Sequence, residues 1–459
     1  MGDEKQQEKF KKMTTEPVER LICGMALPSI IGMLVSAFYN MVDTFFVGRI
    51  STQATAAIGI IFSYMALIQA VSFFFGHGSG NFISRALGRK DLSEAKKMAA
   101  TGFFSAILFG LILIIPCFFW MDSILSILGA TKTILPEARN YFQFILIATP
   151  FMMGSLVLNN QMRFQGNARL GMIGISSGAI LNVILDPVLI FGLNLGISGA
   201  ALATAISQAV GFTVLLFMSR RSDGVKIKWS SFTPTLHSYS EIAAGGLPSL
   251  LRQGLGSIAA IYLNQRAGFY GDSAIAAFSV VNRVTMIAAS ALIGFGQGFQ
   301  PVCGFNYGAA LYDRVKKAFW FSVWVSTGVL AVISVLGFFY AESIVRVFRP
   351  DDLEVMKIGA KALTYQSYVF VLQGFVIIVN MFLQTTRKTL RASITAMSRQ
   401  GIIFIPVLFI LSGAFGLNGI CMTQPVSDVL TFLLSIPLGL SGLSEMQREK
   451  SIDNEMVRE

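Results

Sequence analysis

The stretch "LPSIIGMLVSAFYNMVDTFFVG", residues 27–48, decides the fold class because it is apolar over nearly its whole length. It lies within the run from Leu21 to Val47, in which Asp43 is the only charged residue. A helix of that length measures about 40 Å, enough to cross a hydrocarbon core of about 30 Å with some tilt. The stretch therefore predicts a transmembrane helix, and its single carboxylate requires an explanation.

The composition of the whole chain agrees with this prediction. Of 459 residues, 54% are hydrophobic and only 13% are charged, whereas soluble proteins carry about 25% charged residues. The net charge of +11 does not indicate nucleic-acid binding, since the basic residues lie mainly in short connections between apolar runs. Four dispersed cysteines without a CxxC motif, and only two histidines, argue against a zinc site or a disulfide framework. We expect a polytopic membrane protein.

Twelve apolar runs divide the chain, and we interpret all of them as helices because an unpaired strand edge cannot face lipid. Their approximate bounds are 21–48, 54–84, 98–121, 140–162, 170–193, 196–219, 241–268, 273–308, 317–340, 360–385, 392–413 and 416–441. The predicted fold is an all-α polytopic membrane protein with twelve transmembrane helices.

The two sets of six runs are copies of one another at a constant offset of 220 residues. This offset aligns "LPS" at 27–29 with "LPS" at 247–249. It also pairs Gly48 with Gly268, Gly76 with Gly296, Gly78 with Gly298, Gly88 with Gly308, and Gly196 with Gly416. Because six is even, both copies enter the membrane from the same side, which predicts two six-helix lobes related as parallel repeats.

Lysines and arginines in the connections predict the orientation. The loops after the even-numbered runs hold seventeen of them and the opposite loops hold eight, so we expect both termini in the cytoplasm. The predicted domains are a cytoplasmic N-tail (1–20), a first lobe (21–219), a cytoplasmic linker (220–240), a second lobe (241–441) and a cytoplasmic C-tail (442–459).

Four oxygen-bearing side chains from three runs are predicted to share one depth. Asp43, Asp186 and Thr204 lie roughly 8–12 Å below the outer helix ends, with Asn182 slightly deeper. Asn182 and Asp186 are four residues apart and share a helical face. Pro187 removes a backbone donor and should bend the helix beside Asp186, as a hinge.

Two carboxylates in one low-dielectric site cannot both stay ionised without a cation, so the pair must bind H⁺ or a metal ion. Carboxylate, amide and hydroxyl oxygens suit a hard cation such as Na⁺. The plain alternative is that each acid is a satisfied polar group near a helix end. Ionisable residues within a membrane are functional candidates by default, so we predict that Asp43 binds a coupling ion and the substrate.

Three segments resemble the multidrug and toxic compound extrusion (MATE) transporters. They are "LPSIIGMLVSAFYNMVDTFFVGR" in the first run, "NVILDP" in the fifth and "GFGQGFQPVCGFNYGA" in the eighth. Within that family the sequence is similar to the DinF-like branch with its MepA-type exporters. The family's cation-site Asp, Asn, Asp and Thr then fall on Asp43, Asn182, Asp186 and Thr204. The resemblance implies two six-helix lobes around a central cleft that exports cationic drugs against entry of Na⁺ or H⁺.

The sequence departs from the family pattern at Phe305, where the family often has Gln. The offset of 220 places Leu263 opposite Asp43 and Pro406 opposite Asp186, so we expect ion coupling to be confined to the first lobe. The second lobe instead carries Arg252, Arg283, Arg399 and Asp428 in its helices. Asp428 is predicted to form a structural ion pair with one of these arginines; the alternative is a basic patch for an anionic or lipid-linked substrate.

Three functions follow for comparison. The first is secondary active efflux of cationic or amphipathic drugs, with no cofactor besides the coupling ion, in the cell (plasma) membrane. The second is a flippase or exporter of a lipid-linked or anionic substrate, which the membrane arginines favour. The third, an enzyme, is set aside because no nucleophile–base set occurs, and "GISSG" at 174–178 lies inside a predicted membrane helix. We add Tyr39, Asn40 and Arg283 as candidate cavity-lining residues, and expect a monomer in the lipid bilayer whose partners are small-molecule drugs, with no nucleic acid.

Overall fold

The computed structural model describes residues 2–348 and 352–456, with side chains for all of these except residues 2–6, 40, 52 and 453–456. Within these ranges the chain is helical between short connections and contains no strand.

The first half contains α1 to α8 and a π-helical turn at Val188–Gly192. The bounds are α1 Gly2–Thr15, α2 Val18–Val47, α3 Thr52–Gly88, α4 Leu92–Phe119, α5 Met121–Ile127, α6 Leu135–Phe164, α7 Ala168–Pro187 and α8 Gly196–Arg221. The second half contains α9 Leu236–Gly268, α10 Asp272–Gly308, α11 Tyr312–Phe339, α12 Ala341–Phe348, α13 Leu353–Val369, α14 Gln373–Thr385, α15 Thr389–Met397 and α16 Phe404–Met456. A second π-helical turn, Ser398–Ile402, separates α15 from α16.

Twelve membrane crossings result from these helices. By length and apolarity, 10 helical stretches of the described residues can span a bilayer. The last of them, Thr389–Ile452, reverses direction at Gly416, where φ is +58°. Arg391 near its start and Glu445 near its end form an ion pair of 2.5 Å, which a straight helix could not bring together. α9, with 33 residues, is less apolar than those ten and supplies the remaining crossing.

The helix bounds confirm the internal repeat. α3 and α10 begin and end 220 residues apart, and so do α4 and α11. Gly196 and Gly416, which open the equivalent helices, both have positive φ, +55° and +58°. Near the end of α6 the offset becomes 221, since Phe164 corresponds to Thr385. Asp186 therefore lies opposite Pro406 or Val407, both apolar.

The two lobes meet at the end of the bundle that carries both chain termini, which we call the terminal end. Here α3 packs against α9 and α2 against α10. The backbones approach so closely that a Cβ at Gly78 would lie 2.2 Å from the carbonyl oxygen of Ile242. A Cβ at Gly298 would lie 2.5 Å from the backbone nitrogen of Ala26. Only glycine fits at such contacts, so the lobes are closed at this end.

Helix α1 lies across the terminal end and contacts both lobes, which the sequence analysis did not predict. Lys9 donates to Asn167 Oδ1 of the first lobe at 2.9 Å. Asn306 of the second lobe donates to the Met13 carbonyl at 3.2 Å. Met13 also belongs to a buried cluster that includes Phe299 and Phe319. α1 therefore reinforces closure.

Candidate cation and substrate site

Two buried carboxylates mark the first lobe. Asp43 lies on α2, one turn before the helix ends, and is 8% exposed; Asp186 lies one residue before the end of α7 and is fully buried. α2 and α7 pack against each other, and the Asp43 charge is close enough to act on Asp186. The packing of these two helices places both acids in one site.

An amide connects this pair to α8. Asn182 Nδ2 donates to Asp186 Oδ1 at 3.3 Å and to Thr204 Oγ1 at 3.4 Å. Asn182 and Thr204 are each 1% exposed. All four residues predicted from depth are therefore buried, and three of them are joined by hydrogen bonds.

Three oxygens of this cluster have no partner among the described residues. They are Asp43 Oδ1, Asp186 Oδ2 and Asn182 Oδ1. Neither acid forms an ion pair with a described lysine or arginine. Buried acceptors without donors are costly, and bare carboxylate and amide oxygens are the ligand types of hard cations. Within the described ranges no group of three His, Cys, Asp or Glu could hold a metal ion, so this donor set fits Na⁺ or a proton better than a transition metal.

Two tyrosines complete the wall of the site. The Tyr39 hydroxyl hydrogen-bonds Gln208 and lies near Asp43. The Tyr141 hydroxyl hydrogen-bonds Thr204, and this side chain is 1% exposed. Sequence reasoning missed Tyr141, although it lies six residues after the start of α6, about 9 Å from that helix end, the depth of the acids.

The backbone changes beside Asp186. α7 ends at Pro187 and continues as the π-helical turn, in which Leu193 N donates to Val188 O at 2.9 Å, five residues back. π-helical turns frequently occur at functional sites. The altered geometry follows from the missing donor of proline, and the hinge role of Pro187 stays a prediction.

A cavity of about 240 Å³ opens next to this cluster. Its walls come from α2, α3, α6, α7 and α8, and from α10 of the second lobe. Tyr39 and Asn182 line it, whereas Arg283 is exposed on α10 outside this cavity, and the side chain of Asn40 is outside the described residues. Met286 of α10 lines the cavity and is still 51% exposed, so the cavity is accessible from outside the lobes.

The second lobe contains the predicted ion pair. Arg399 Nε donates to Asp428 Oδ1 at 3.0 Å. Gln366 and Gln373 each donate to Asp428 Oδ2 at 2.7 Å, and Gln424 donates to Oδ1 at 2.9 Å. With every oxygen satisfied, this acid is a structural group.

A second buried ion pair, missed by sequence reasoning, joins the lobes at the terminal end. Arg85 of α3 binds Glu241 of α9 at 3.1 Å and donates to the Thr385 carbonyl at 2.8 Å. Arg387 binds the other oxygen of Glu241 at 2.5 Å. Glu241 is 4% exposed. Its signal was available, since it is the only acid in the seventh apolar run.

Comparison with known proteins gives consistent matches. A family model described as MatE matches residues 28–188 and 248–410, two segments that begin 220 residues apart. The multidrug export protein MepA of Staphylococcus aureus (strain MSSA476) is 30% identical over 426 residues, which cover 92% of this chain and 93% of MepA. The MepA of Staphylococcus haemolyticus (strain JCSC1435) is 29% identical over 413 residues, covering 90% and 91%.

Solved structures share the fold. A crystal structure of MATE in the straight conformation superposes with a TM-score of 0.90 at 22% identity, over 95% of this chain and 98% of that one. An outward-facing multidrug resistance MATE family transporter of the MOP superfamily gives 0.89 at 23% identity, with the same coverage.

Proposed function

This chain belongs to the MatE family of membrane transporters, and from that premise we propose that it is a secondary active exporter of cationic or amphipathic organic compounds. Entry of H⁺ or Na⁺ drives export by alternating access. The family consists of transporters and not enzymes, so the acids described above bind ions and do not catalyse a reaction.

The observation that carries the proposal is the pair of buried acids with open oxygens and no basic partner. Two such carboxylates cannot both remain charged without a cation. Asp43 and Asp186 therefore bind H⁺, Na⁺ or the cationic group of a drug. The competition between ion and drug couples their movements when each binds preferentially to a different state of the lobes.

The direction of transport follows from the closed terminal end. The bias of seventeen to eight basic residues assigns that end to the cytoplasm, with both termini inside a plasma membrane. A lobe pair closed there is open outward, so an ion entering the cavity from outside displaces the drug. We further propose that the transporter acts as a monomer in the bilayer, has small-molecule drugs as partners, and has no nucleic-acid partner.

Ethidium uptake into inside-out proteoliposomes tests this function, with Na⁺ and pH gradients imposed separately. We expect at least one gradient to drive accumulation and its dissipation to abolish it. If neither gradient drives uptake of ethidium, secondary active drug transport is the wrong function for this chain.

The alternative, export of a lipid-linked or anionic substrate, has less support than the residue types suggested. Arg399, one of its three basic residues, is neutralised by Asp428. A transporter of this class would show anion-dependent transport that survives loss of both Asp43 and Asp186.

A further inference from the structure

The cavity of the first lobe has a second charged residue at its terminal-end floor. Arg163, in the last turn of α6, lines this cavity and is 3% exposed. Asn182 lines the same cavity beside the carboxylates. The cavity therefore extends from an acidic cluster to a guanidinium group.

Arg163 has no carboxylate partner among the described residues. Other buried arginines have one: Arg85 binds Glu241 at 3.1 Å, and Arg399 binds Asp428 at 3.0 Å. Arg163 Nη2 donates to Asn160 Oδ1 at 2.7 Å, and the guanidinium lies 5.2 Å from the centre of the Phe164 ring. Neither neighbour carries a negative charge.

Part of its hydrogen-bonding capacity is unused. Arg163 Nε is buried without a partner, although a guanidinium has five N–H donors in a planar fork. That fork fits a carboxylate through two parallel hydrogen bonds. A buried cation without such a partner is costly, which indicates that a ligand supplies the anion.

The surroundings of Arg163 also favour an anion. Helix α7 begins at Ala168, which lines the cavity, and no side chain caps this helix start. The positive end of the helix dipole attracts negative charge. Both Arg163 and Arg252 act electrostatically on His77, so a second cation lies nearby. The floor is positively charged overall.

We propose that Arg163 determines specificity by binding the carboxylate of a zwitterionic amphipathic substrate at the floor of the first-lobe cavity. The proposal rests on the export function above and extends it to substrates with an acidic group. Arg163 binds the anionic end of the compound, and the opposite end of the cavity provides Asp43 and Asp186 for a cation.

Two dyes with one xanthene cation test this proposal: rhodamine 110 has a free carboxylate, and rhodamine 123 is its methyl ester. Binding to the purified full chain is measured by fluorescence anisotropy. For Arg163→Gln we expect the affinity for rhodamine 110 to fall at least about tenfold, because a charged bidentate contact is lost. The affinity for rhodamine 123 should change less than about twofold. Arg163→Lys, which keeps the charge but not the fork, should lie between.

Arg283→Gln is the matched control, since this arginine is exposed outside the cavity. Equal losses for both dyes in Arg163→Gln, or selective loss of rhodamine 110 in Arg283→Gln instead, would overturn the proposal. Wild-type protein gives a test that needs no variant: it should bind rhodamine 110 at least as tightly as its ester, and a preference for the ester refutes the assignment.

The two proposals fail in distinguishable ways. If wild-type proteoliposomes transport neither dye under any gradient, the export function fails, whatever the dyes' binding affinities. If they transport rhodamine 123 and Arg163→Gln binds both dyes as the wild type does, only the role of Arg163 fails.

Discussion

Asp43 and Leu263 occupy equivalent positions in the two lobes and are equally buried, at 8% and 9% exposure. They form a matched pair for substitution. Asp43→Asn should fold, because neutralising a buried acid removes a desolvation cost. It should reduce gradient-driven ethidium transport to the level without a gradient, since Asn cannot bind a proton and is a weaker cation ligand.

Leu263→Asn should keep most of the transport activity despite a stability loss of about 1–3 kcal/mol from a buried amide. Both variants are measured in proteoliposomes at equal protein content. Transport by Asp43→Asn at the wild-type rate under the driving gradient would contradict the role of this carboxylate.

The Arg399–Asp428 pair gives a residue-scale prediction about stability. Asp428→Asn leaves Arg399 without its counter-charge. We expect a loss of about 3 kcal/mol, at the low end for a broken buried pair because the Arg399 side chain is 22% exposed. Thermal unfolding in detergent measures this loss. Unchanged stability with altered dye selectivity would instead make this pair part of a substrate site.

The sequence predicted the site where one rule, helix depth, was sufficient. Asp43, Asp186 and Thr204 were grouped because each lies a similar number of residues from an outer helix end. Arg163 was assigned to a loop by the same count, since the predicted fourth run stopped at residue 162. Its burial depends on how α6 packs beneath α3 and α8, and no local pattern reports that packing.

Gly416 decides whether α16 forms one helix or a hairpin. Its φ of +58° lies in the left-handed region, where a side chain costs roughly 1–2 kcal/mol. A Cβ there would also lie 3.2 Å from the Tyr270 hydroxyl. Gly416→Ala should therefore lower the free energy of unfolding by about 1–2 kcal/mol.

Gly413, three residues earlier in α16, provides the control. It has no neighbour within 4 Å of an added Cβ and no positive φ. Gly413→Ala should be neutral or stabilise by up to about 1 kcal/mol, since alanine favours helix. Equal effects of the two substitutions, measured by thermal unfolding, would show that the turn does not depend on glycine.

At the same scale, the repeat located the elements better than apolarity did. The offset of 220 predicted the bounds of α10 from those of α3 although α10 is interrupted by polar residues. Helix α1 has no repeat partner, and its sequence is charged and polar. Its position depends on contacts with Asn167 and Asn306, which no periodicity in its own residues indicates.

At the scale of the whole molecule, the two lobes are joined at the terminal end by a buried carboxylate. Glu241 binds Arg85 across the lobes and Arg387 within the second lobe. Opening this end for alternating access must separate Arg85 from Glu241 and expose both to water. The ion pair therefore contributes to the closed state and not to the opposite one, which makes it a determinant of the equilibrium between them.

Glu241→Gln should shift the lobes toward opening at the terminal end, because Arg85 would be left buried without a counter-charge. Breaking a buried pair costs about 3–5 kcal/mol, which corresponds to a change of at least about a hundredfold in the equilibrium. Spin labels at Lys97 and Lys316, exposed on α4 and α11, report the lobe separation. Exposed Cys23 is replaced by serine first, and the other three cysteines are buried.

The wild type should show one short distance between these labels, and Glu241→Gln an added population of longer distances. Glu342→Gln is the control, because its pair with Arg346 joins neighbouring turns of α12 and both side chains are more than half exposed, at 68% and 61%. Exposed pairs of this kind contribute little, so its distances should match the wild type. A folded Glu241→Gln protein with the wild-type distance distribution would show that apolar packing at the glycine contacts, and not this ion pair, holds the terminal end closed.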